Sequence, residues 1–200
     1  MRDRIWYMAL VLGLVSVLAG LALAGVKRLT DPVIEGNLLE QAVRPALARL
    51  LGPLGIDNDA LADRARIEVG RDARGRRLRV TVFRGRVGGR LVAAAMQTNG
   101  VGYGGELTVL TTFDLVKNRV SGVAVLDQRE TKGLGARVAE PGHPFLRQFE
   151  GLAIDARFAL DREGGEIDGL AGATITSRAV TGAVAQAATV LRARRAEIGR

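Results

Sequence analysis

A threonine hydroxyl with small neighbours stands in the most chemically distinctive stretch of this chain. Residues 168–177 read Asp-Gly-Leu-Ala-Gly-Ala-Thr-Ile-Thr-Ser, so that glycine and alanine directly precede Thr174. The residues after Thr174 are typical of a helix, with Thr176 or Ser177 as its N-cap. A hydroxyl at a helix start lies beside free backbone N–H groups and the positive end of the helix dipole, which favour a phosphate. The stretch therefore predicts either a phosphate site or only a capped helix after a glycine turn.

Two motifs upstream could form walls around that hydroxyl. The first is a glycine loop at 100–105, Gly-Val-Gly-Tyr-Gly-Gly, and the second is Glu-Thr-Lys-Gly-Leu-Gly-Ala at 130–136. A glycine loop alone is weak evidence, because it can also be a plain connection between strands. The order of the two motifs, ahead of the threonine, is more informative than either motif alone.

This order of motifs, behind one apolar N-terminal segment, resembles the FMN-binding domain family. Residues 168–174 resemble the family's flavinylation sequon, Asp-x-x-(Ser/Thr)-Gly-Ala-Thr, in which the last threonine carries FMN through a phosphoester bond. Order and length are most similar to the G subunits of Rnf complexes, membrane-bound ferredoxin:NAD oxidoreductases coupled to ion transport. The C subunits of sodium-translocating NADH:quinone reductases share the arrangement and stay an alternative. Two positions depart from the pattern: Ala171 stands where Ser or Thr is usual, and Lys132 where Pro is frequent.

The resemblance implies a cofactor site with named residues. Thr174 would carry covalent FMN, attached by a separate flavin transferase that uses FAD and magnesium. A threonine hydroxyl is a poor nucleophile without a base or metal, and no His or Cys is near it in sequence. The other expected cofactor-binding residues are Asp168, Gly172, Ala173, Thr176, Ser177, Tyr103, Gly104, Thr131, Lys132, Gly133 and Leu134. No catalytic residue and no metal site is expected.

Five of these side chains have expected roles, some beside simpler alternatives. Tyr103 would stack on or hydrogen-bond the flavin, Leu134 would pack on its ring, and Thr131 would hydrogen-bond it. Lys132 would raise the flavin potential from a position near the N1–C2 edge, or is otherwise a solvated turn residue. Asp168 would contribute to recognition by the transferase or to its metal site, or else form an Asx turn.

Composition excludes several other kinds of protein. None of the 200 residues is cysteine, which excludes disulfides, iron–sulfur ligation, c-type haem and cysteinyl flavin attachment. The net charge of +8 could suit nucleic acid, but aromatic residues make up only 4% and no nucleic-acid-binding signature is present. We expect instead that the arginines within 64–79 form a solvated strand surface that faces anionic lipid or an acidic partner in the same complex.

An uncharged N-terminal segment predicts a membrane anchor. Residues 5–26 carry no charge, and as a helix they are about 33 Å long, enough to cross a hydrocarbon core of about 30 Å. Ala22-Leu23-Ala24 could instead be a signal-peptidase site, although the apolar run is longer than in a secretory signal. The slight charge bias favours an inside N-terminus. The resemblance implies a single pass of the bacterial inner membrane, with the C-terminal domain on the periplasmic side.

The whole chain predicts an α+β fold: one N-terminal transmembrane helix, then an FMN-binding domain with a twisted, largely antiparallel sheet and packed helices. The expected division is a membrane anchor at 1–28, a helical connector at 29–64 and the FMN-binding domain at 65–200. The connector should begin at Asp31-Pro32 and be kinked or split at Pro45.

Periodicity predicts the elements of the last domain. Alternating residues predict strands at 77–83, 90–97, 106–116, 119–126 and 152–160. Lys117-Asn118 is typical of a two-residue hairpin turn, and His143 should start a short helix. The last helix is predicted from Ser177 to about Arg195, with one apolar face formed by Val180, Val184, Ala187 and Leu191.

These observations predict an electron-transfer subunit of a membrane-bound, redox-driven ion-translocating complex. Its expected partners are the other subunits of an Rnf-type complex, the flavin transferase and the lipid bilayer, and nucleic acid is not expected. An alternative of another class is a membrane-tethered assembly or solute-binding protein without a redox centre. Flavin fluorescence of the denatured protein distinguishes the two classes.

Overall fold

The apolar N-terminal segment forms one long helix, α1 (Arg2–Leu38). The computed structural model describes residues 2–71, 75 and 77–199. Among them, Trp6–Asp31 is long and apolar enough to cross a membrane, with a mean hydropathy of 2.5. Helix α1 continues through Asp31 to Leu38, so the predicted helix start at Asp31-Pro32 is wrong. One hydrogen bond missing at a proline does not end a helix that is already formed on both sides, because elongation is cooperative.

Internal contacts divide the chain into two compact units, Met1–Gln41 and Ala42–Arg200. The second unit contains the sheet and the remaining named helices. Its elements are α2 (Arg44–Leu51), β1 (Arg64–Arg71), β2 (Arg77–Val87), β3 (Arg90–Val101), β4 (Glu106–Asp114), β5 (Arg119–Asp127), α3 (Pro144–Arg147) and α4 (Thr174–Ile198). The finer division into anchor, connector and FMN-binding domain stays a prediction. Arg74 and Arg76, two arginines of the predicted solvated surface, lie outside the described residues.

The sheet confirms the predicted α+β class. Its five strands follow one another in chain order, and every neighbouring pair is antiparallel. The strands predicted at 77–83, 90–97, 106–116 and 119–126 correspond to β2 to β5, with shifted ends. Alternation located them correctly because successive side chains of a strand point to opposite faces of the sheet.

Helices α2 and α4 cover the two faces of this sheet. The predicted apolar face of α4 is confirmed, because it is buried in one continuous core with residues of the sheet, among them Val82, Met96, Val109 and Val123. Gly122, the neighbour of Val123 on β5, faces Leu50 of α2 instead. Since neighbouring residues of a strand face opposite ways, α2 and α4 lie on opposite sides of the sheet.

Two local predictions are wrong. Residues 152–160 do not form a strand: among the described residues they make only isolated bridges, between Arg119 and Ala153 and between Leu160 and Ile167. Apolar and polar residues alternate there because apolar residues such as Leu160 are buried in the core, although the segment does not pair with a strand. The predicted two-residue turn at Lys117-Asn118 is a four-residue loop between the paired residues Asp114 and Arg119.

Two predictions about helix ends are confirmed. Helical geometry changes beside Pro45: residues Leu39–Val43 form a π turn, and α2 begins at Arg44 with Pro45 in its first turn. His143 starts α3, and its Nδ1 accepts a hydrogen bond from the N–H of Phe145 at 3.2 Å. Proline has no N–H to bond to the preceding turn, so the regular hydrogen-bond pattern of an α-helix is interrupted there.

An ion-pair cluster connects the end of α4 to the sheet. The Asp63 carboxylate accepts from Arg84 Nη1 at 3.1 Å and from Arg86 Nε at 2.7 Å, and Arg84 Nε also donates to the Ile198 carbonyl at 2.8 Å. Desolvation raises the pKa of Asp63, but the hydrogen bonds and charges of Arg86 and Arg84 outweigh it and hold the pKa below its usual value of 3.8.

We predict that Asp63→Asn destabilises the fold at neutral pH by about 1 kcal/mol, because it loses charge-assisted bonds that solvent partly screens. A carboxyl whose pKa is lowered on folding stabilises the protein above the unfolded pKa, and this contribution is lost as the pH falls through the folded value. Calorimetry of the full chain in detergent should therefore show the largest difference in Tm at neutral pH and convergence below pH 3.8. The exposed Asp155→Asn serves as the control. A difference that persists unchanged into strong acid would contradict this assignment.

Candidate functional site

The three motifs of the sequence meet around one cleft of about 540 Å³. The glycine loop after β3, the loop after β5 and the start of α4 each contribute to its walls. The lining residues are Tyr103, Glu130, Thr131, Leu134, Gly135, Gly172, Ala173, Thr174, Ile175 and Thr176. Of the predicted site residues, the cleft thus brings together Tyr103, Thr131, Leu134, Gly172, Ala173, Thr174 and Thr176.

Thr174 is exposed and is the first residue of α4. Among the described residues, its hydroxyl has no hydrogen-bond partner, and the backbone N–H groups of Thr174, Ile175 and Thr176 have no acceptor. Three free donors at the positive end of a helix of 25 residues suit an anion with several oxygen atoms. The geometry at Thr174 therefore suits a phosphate group.

The predicted N-cap at Thr176 or Ser177 is wrong. Helix α4 begins at Thr174, and Ala173 occupies the N-cap position without any side-chain capping bond. Thr176 and Ser177 are buried at the start of the helix. The Thr176 hydroxyl donates to Glu130, and the Ser177 hydroxyl bonds to Ala173 and Leu170. The first turn thus keeps its backbone N–H groups free on the side that faces the cleft.

A left-handed residue turns the chain into α4. Gly172 has a φ of +76°, a conformation that side chains with a Cβ rarely adopt. A Cβ at this position would also lie 3.3 Å from Leu134 Cδ2, so the turn is in contact with the opposite wall of the cleft. This requirement explains the glycine before Ala173 and Thr174.

The backbone before the turn is held from behind. The Gln148 side chain donates to the Asp168 carbonyl at 3.1 Å and accepts from the Asp168 N–H at 2.7 Å. The Ser177 hydroxyl accepts from the Leu170 N–H at 2.9 Å and donates to the Ala173 carbonyl at 3.0 Å. These four bonds fix the residues on both sides of the glycine turn without using the cleft.

The carboxylate of Asp168 takes no part in this bonding. Asp168 is exposed, and among the described residues its side chain accepts no hydrogen bond. The Asx turn considered from the sequence is therefore not formed. An exposed carboxylate without an intramolecular partner is available to another molecule.

Apolar side chains form the rim of the cleft. Tyr103 is 74% exposed, Leu134 is 49% exposed and Ile175 is 47% exposed. Large apolar side chains left in water on one side of a cleft indicate a surface that a flat apolar ligand would cover. The cleft thus combines free backbone N–H groups at the start of α4 with an apolar rim.

Several predicted site residues lie beside the cleft rather than in its lining. Lys132 and Gly133 are exposed in the loop after β5, and the Gly104 N–H already donates to Glu130 Oε1 at 3.0 Å. Sequence reasoning did not single out Glu130 or Ile175. Ile175 was detectable as the helix neighbour of Thr174, whereas no local pattern indicated that Glu130 would be buried.

Comparisons with known proteins identify the family of this chain. A family model described as the FMN-binding domain matches residues 102–189. The G subunit of the ion-translocating oxidoreductase complex of Stutzerimonas stutzeri is 36% identical over 191 residues, which cover 93% of this chain and 80% of that protein. The protein of the same name from Cereibacter sphaeroides is 33% identical over 193 residues, which cover 94% of this chain and 85% of that protein.

Two solved structures are similar to this chain at lower sequence identity. The C subunit of the Na(+)-translocating NADH-quinone reductase from Parabacteroides distasonis has a TM-score of 0.46 and 26% identity, over 61% of this chain and 64% of that chain. NqrC of Shewanella oneidensis has a TM-score of 0.49 and 21% identity, over 71% of this chain and 74% of the NqrC chain.

We predict that Gln148→Met, which keeps the length of the side chain but removes its amide, releases the backbone at Asp168. Amide hydrogen exchange at Asp168 should become about fivefold faster, because one net hydrogen bond is worth about 1 kcal/mol. Exchange at the N–H of Ser177, which bonds within the start of α4, is the internal control and should change little. Wild-type protection at Asp168 would show that the amide does not hold this segment.

Proposed function

Since this chain belongs to the family of G subunits of ion-translocating oxidoreductase complexes, we propose that it carries FMN covalently on Thr174 and relays electrons within such a complex. The observation that carries the proposal is the exposed Thr174 hydroxyl beside three free backbone N–H groups. This family membership favours the G subunit over the related C subunit. The match to an FMN-binding domain argues against the alternative without a redox centre.

The residues of the cleft fit FMN. A phosphoester on Thr174 Oγ1 leaves its remaining oxygens beside the free N–H groups of the first turn of α4. The ring would lie against the apolar rim, where Leu134 and Ile175 offer packing surface and Tyr103 an aromatic face or a hydroxyl. Thr131 offers a hydroxyl for a hydrogen bond. Bound there, FMN supplies the ability to accept and donate electrons, which none of these side chains has.

Attachment requires help from another protein. The carboxylate of the cleft, on Glu130, is already bonded to Gly104 and Thr176, and Thr174 has no base as a partner among the described residues. A flavin transferase would form the bond from Thr174 Oγ1 to the phosphorus of FAD, while the bond between the two phosphates breaks and AMP leaves. Asp168, exposed six positions upstream, is the group that we assign to recognition by this transferase or to its metal.

The remaining parts of the proposal concern location and tuning. Trp6–Asp31 would cross the bacterial inner membrane once, and the domain that contains the cleft would lie on the periplasmic side beside the other subunits. Lys132 stays a predicted tuning cation: its ammonium is exposed, and it acts on the flavin only if the ring reaches over the loop after β5.

We predict that Thr174→Val abolishes covalent labelling when the full chain is produced with the transferase, because the acceptor oxygen is absent. Thr174→Ser should keep it. Intact-protein mass spectrometry should show the added mass of FMN less one water in the wild type and in Thr174→Ser only. Thr189→Val, on an exposed turn of the same helix, should be labelled normally. A labelled Thr174→Val protein would place the ester elsewhere.

We predict that Asp168→Asn lowers the rate of labelling at least tenfold, because the exposed carboxylate loses the charge that a transferase or its magnesium would bind. The fold should not change, because the Asp168 side chain has no intramolecular bond to lose. The matched control is Glu166→Gln, an exposed acid two positions upstream. Flavin fluorescence of the denatured band over time gives the rates, and equal rates for Asp168→Asn and wild type would remove Asp168 from recognition.

A further inference from the structure

One acidic side chain in the lining of the cleft is buried. Glu130 is 8% exposed, and its two carboxylate oxygens have different partners. Oε1 accepts from the Gly104 N–H at 3.0 Å, and Oε2 accepts from the Thr176 hydroxyl at 2.5 Å. One side chain thus connects the glycine loop, the loop after β5 and the first turn of α4.

The surroundings of Glu130 require small residues. A Cβ at Gly135 would lie 2.6 Å from both Glu130 Oε2 and Thr176 Oγ1. A Cβ at Gly104 would collide with the carbonyl of Arg129. These glycines let the two loops approach closely enough for the carboxylate to reach both donors, which gives them a role other than contact with a ligand.

The charge of Glu130 has no cationic partner. Among the described residues, no ion pair includes Glu130, and both of its donors are neutral groups. The first turn of α4 supplies only the partial positive charge of a helix end. A buried carboxylate without a counter-ion creates a negative potential that the surrounding protein screens weakly.

We propose that Glu130 is the positioning residue of the cleft, and that its carboxylate also makes a flavin bound there harder to reduce. The positioning follows from the bonds to Gly104 and Thr176. They connect the loop after β5, which contains Glu130, to the glycine loop and to the first turn of α4. The effect on reduction rests on the proposed function, because it requires FMN on Thr174. Adding an electron to a ring beside a fixed negative charge costs electrostatic energy, so the charge shifts the midpoint potential to more negative values.

Two substitutions separate the role in positioning from the role of the charge. Glu130→Gln keeps the shape and both bonds, because its amide oxygen can accept from Gly104 and its amide nitrogen can donate to the Thr176 hydroxyl. Glu130→Ala removes both bonds. The control is Glu150→Gln, an exposed acid that lines a separate cavity beside α2.

The first measurement is amide hydrogen exchange at Gly104 in the full chain without flavin, in detergent. We expect about tenfold faster exchange in Glu130→Ala, because the Gly104 N–H loses its acceptor there. Exchange in Glu130→Gln should stay near wild type, because the amide oxygen still accepts this bond. Unchanged exchange in Glu130→Ala would overturn the positioning role. This result does not depend on whether FMN is attached.

The second measurement is the midpoint potential of the flavinylated chain. We expect a more positive potential in Glu130→Gln and the wild-type potential in Glu150→Gln. A wild-type potential in Glu130→Gln overturns the charge role, since shape and bonding are preserved. A wild-type chain that never acquires flavin overturns the proposed function and with it the charge role, while the exchange at Gly104 still decides the positioning role.

Discussion

The packing of α4 across β3 determines where the site can be. Thr98 on β3 donates its buried hydroxyl to the Ala183 carbonyl at 2.9 Å, and the backbone of Ala179 approaches Gly100 so closely that a Cβ there would collide with it. Both contacts involve the backbone of α4, so they fix the position of the helix axis and not only its side chains. Because the helix begins only a few residues before these contacts, its first turn is held in place by the sheet.

The start of α4 combines rigidity with exposure. The faces of α4 that contact the sheet are buried, whereas Thr174 and Ile175 remain exposed at the cleft. Bonds from Gln148 and Ser177 hold the preceding turn from the opposite side. The proposed attachment of FMN to Thr174 would need this combination, because the attachment point must be reachable by another enzyme and yet stay fixed after attachment. The chain achieves it by keeping its stabilising bonds behind the cleft.

The sequence predicted most of the sheet and the face of α4, because both follow from local periodicity in regular elements. It also predicted that the three motifs form one site, through the resemblance of their order to a known family. It could not predict Glu130, whose burial depends on partners 26 and 46 positions away in the chain. Thr176 and Ser177 have the right residue types for an N-cap, but the Thr176 hydroxyl bonds to the distant Glu130 and the Ser177 hydroxyl to the preceding turn. At 152–160 the alternating pattern reflects burial without strand pairing.

The length of α4 separates its two ends spatially. From Thr174 to Arg194, where the backbone leaves helical geometry, the helix rises about 30 Å. At that far end, Arg195 donates to Asn118 Oδ1 and to the Leu115 carbonyl, which attaches the helix to the loop between β4 and β5. A fluorescent label or an affinity tag placed there would stand a whole domain width away from the threonine, so the molecule could be immobilised on a surface with its cleft still open to solution.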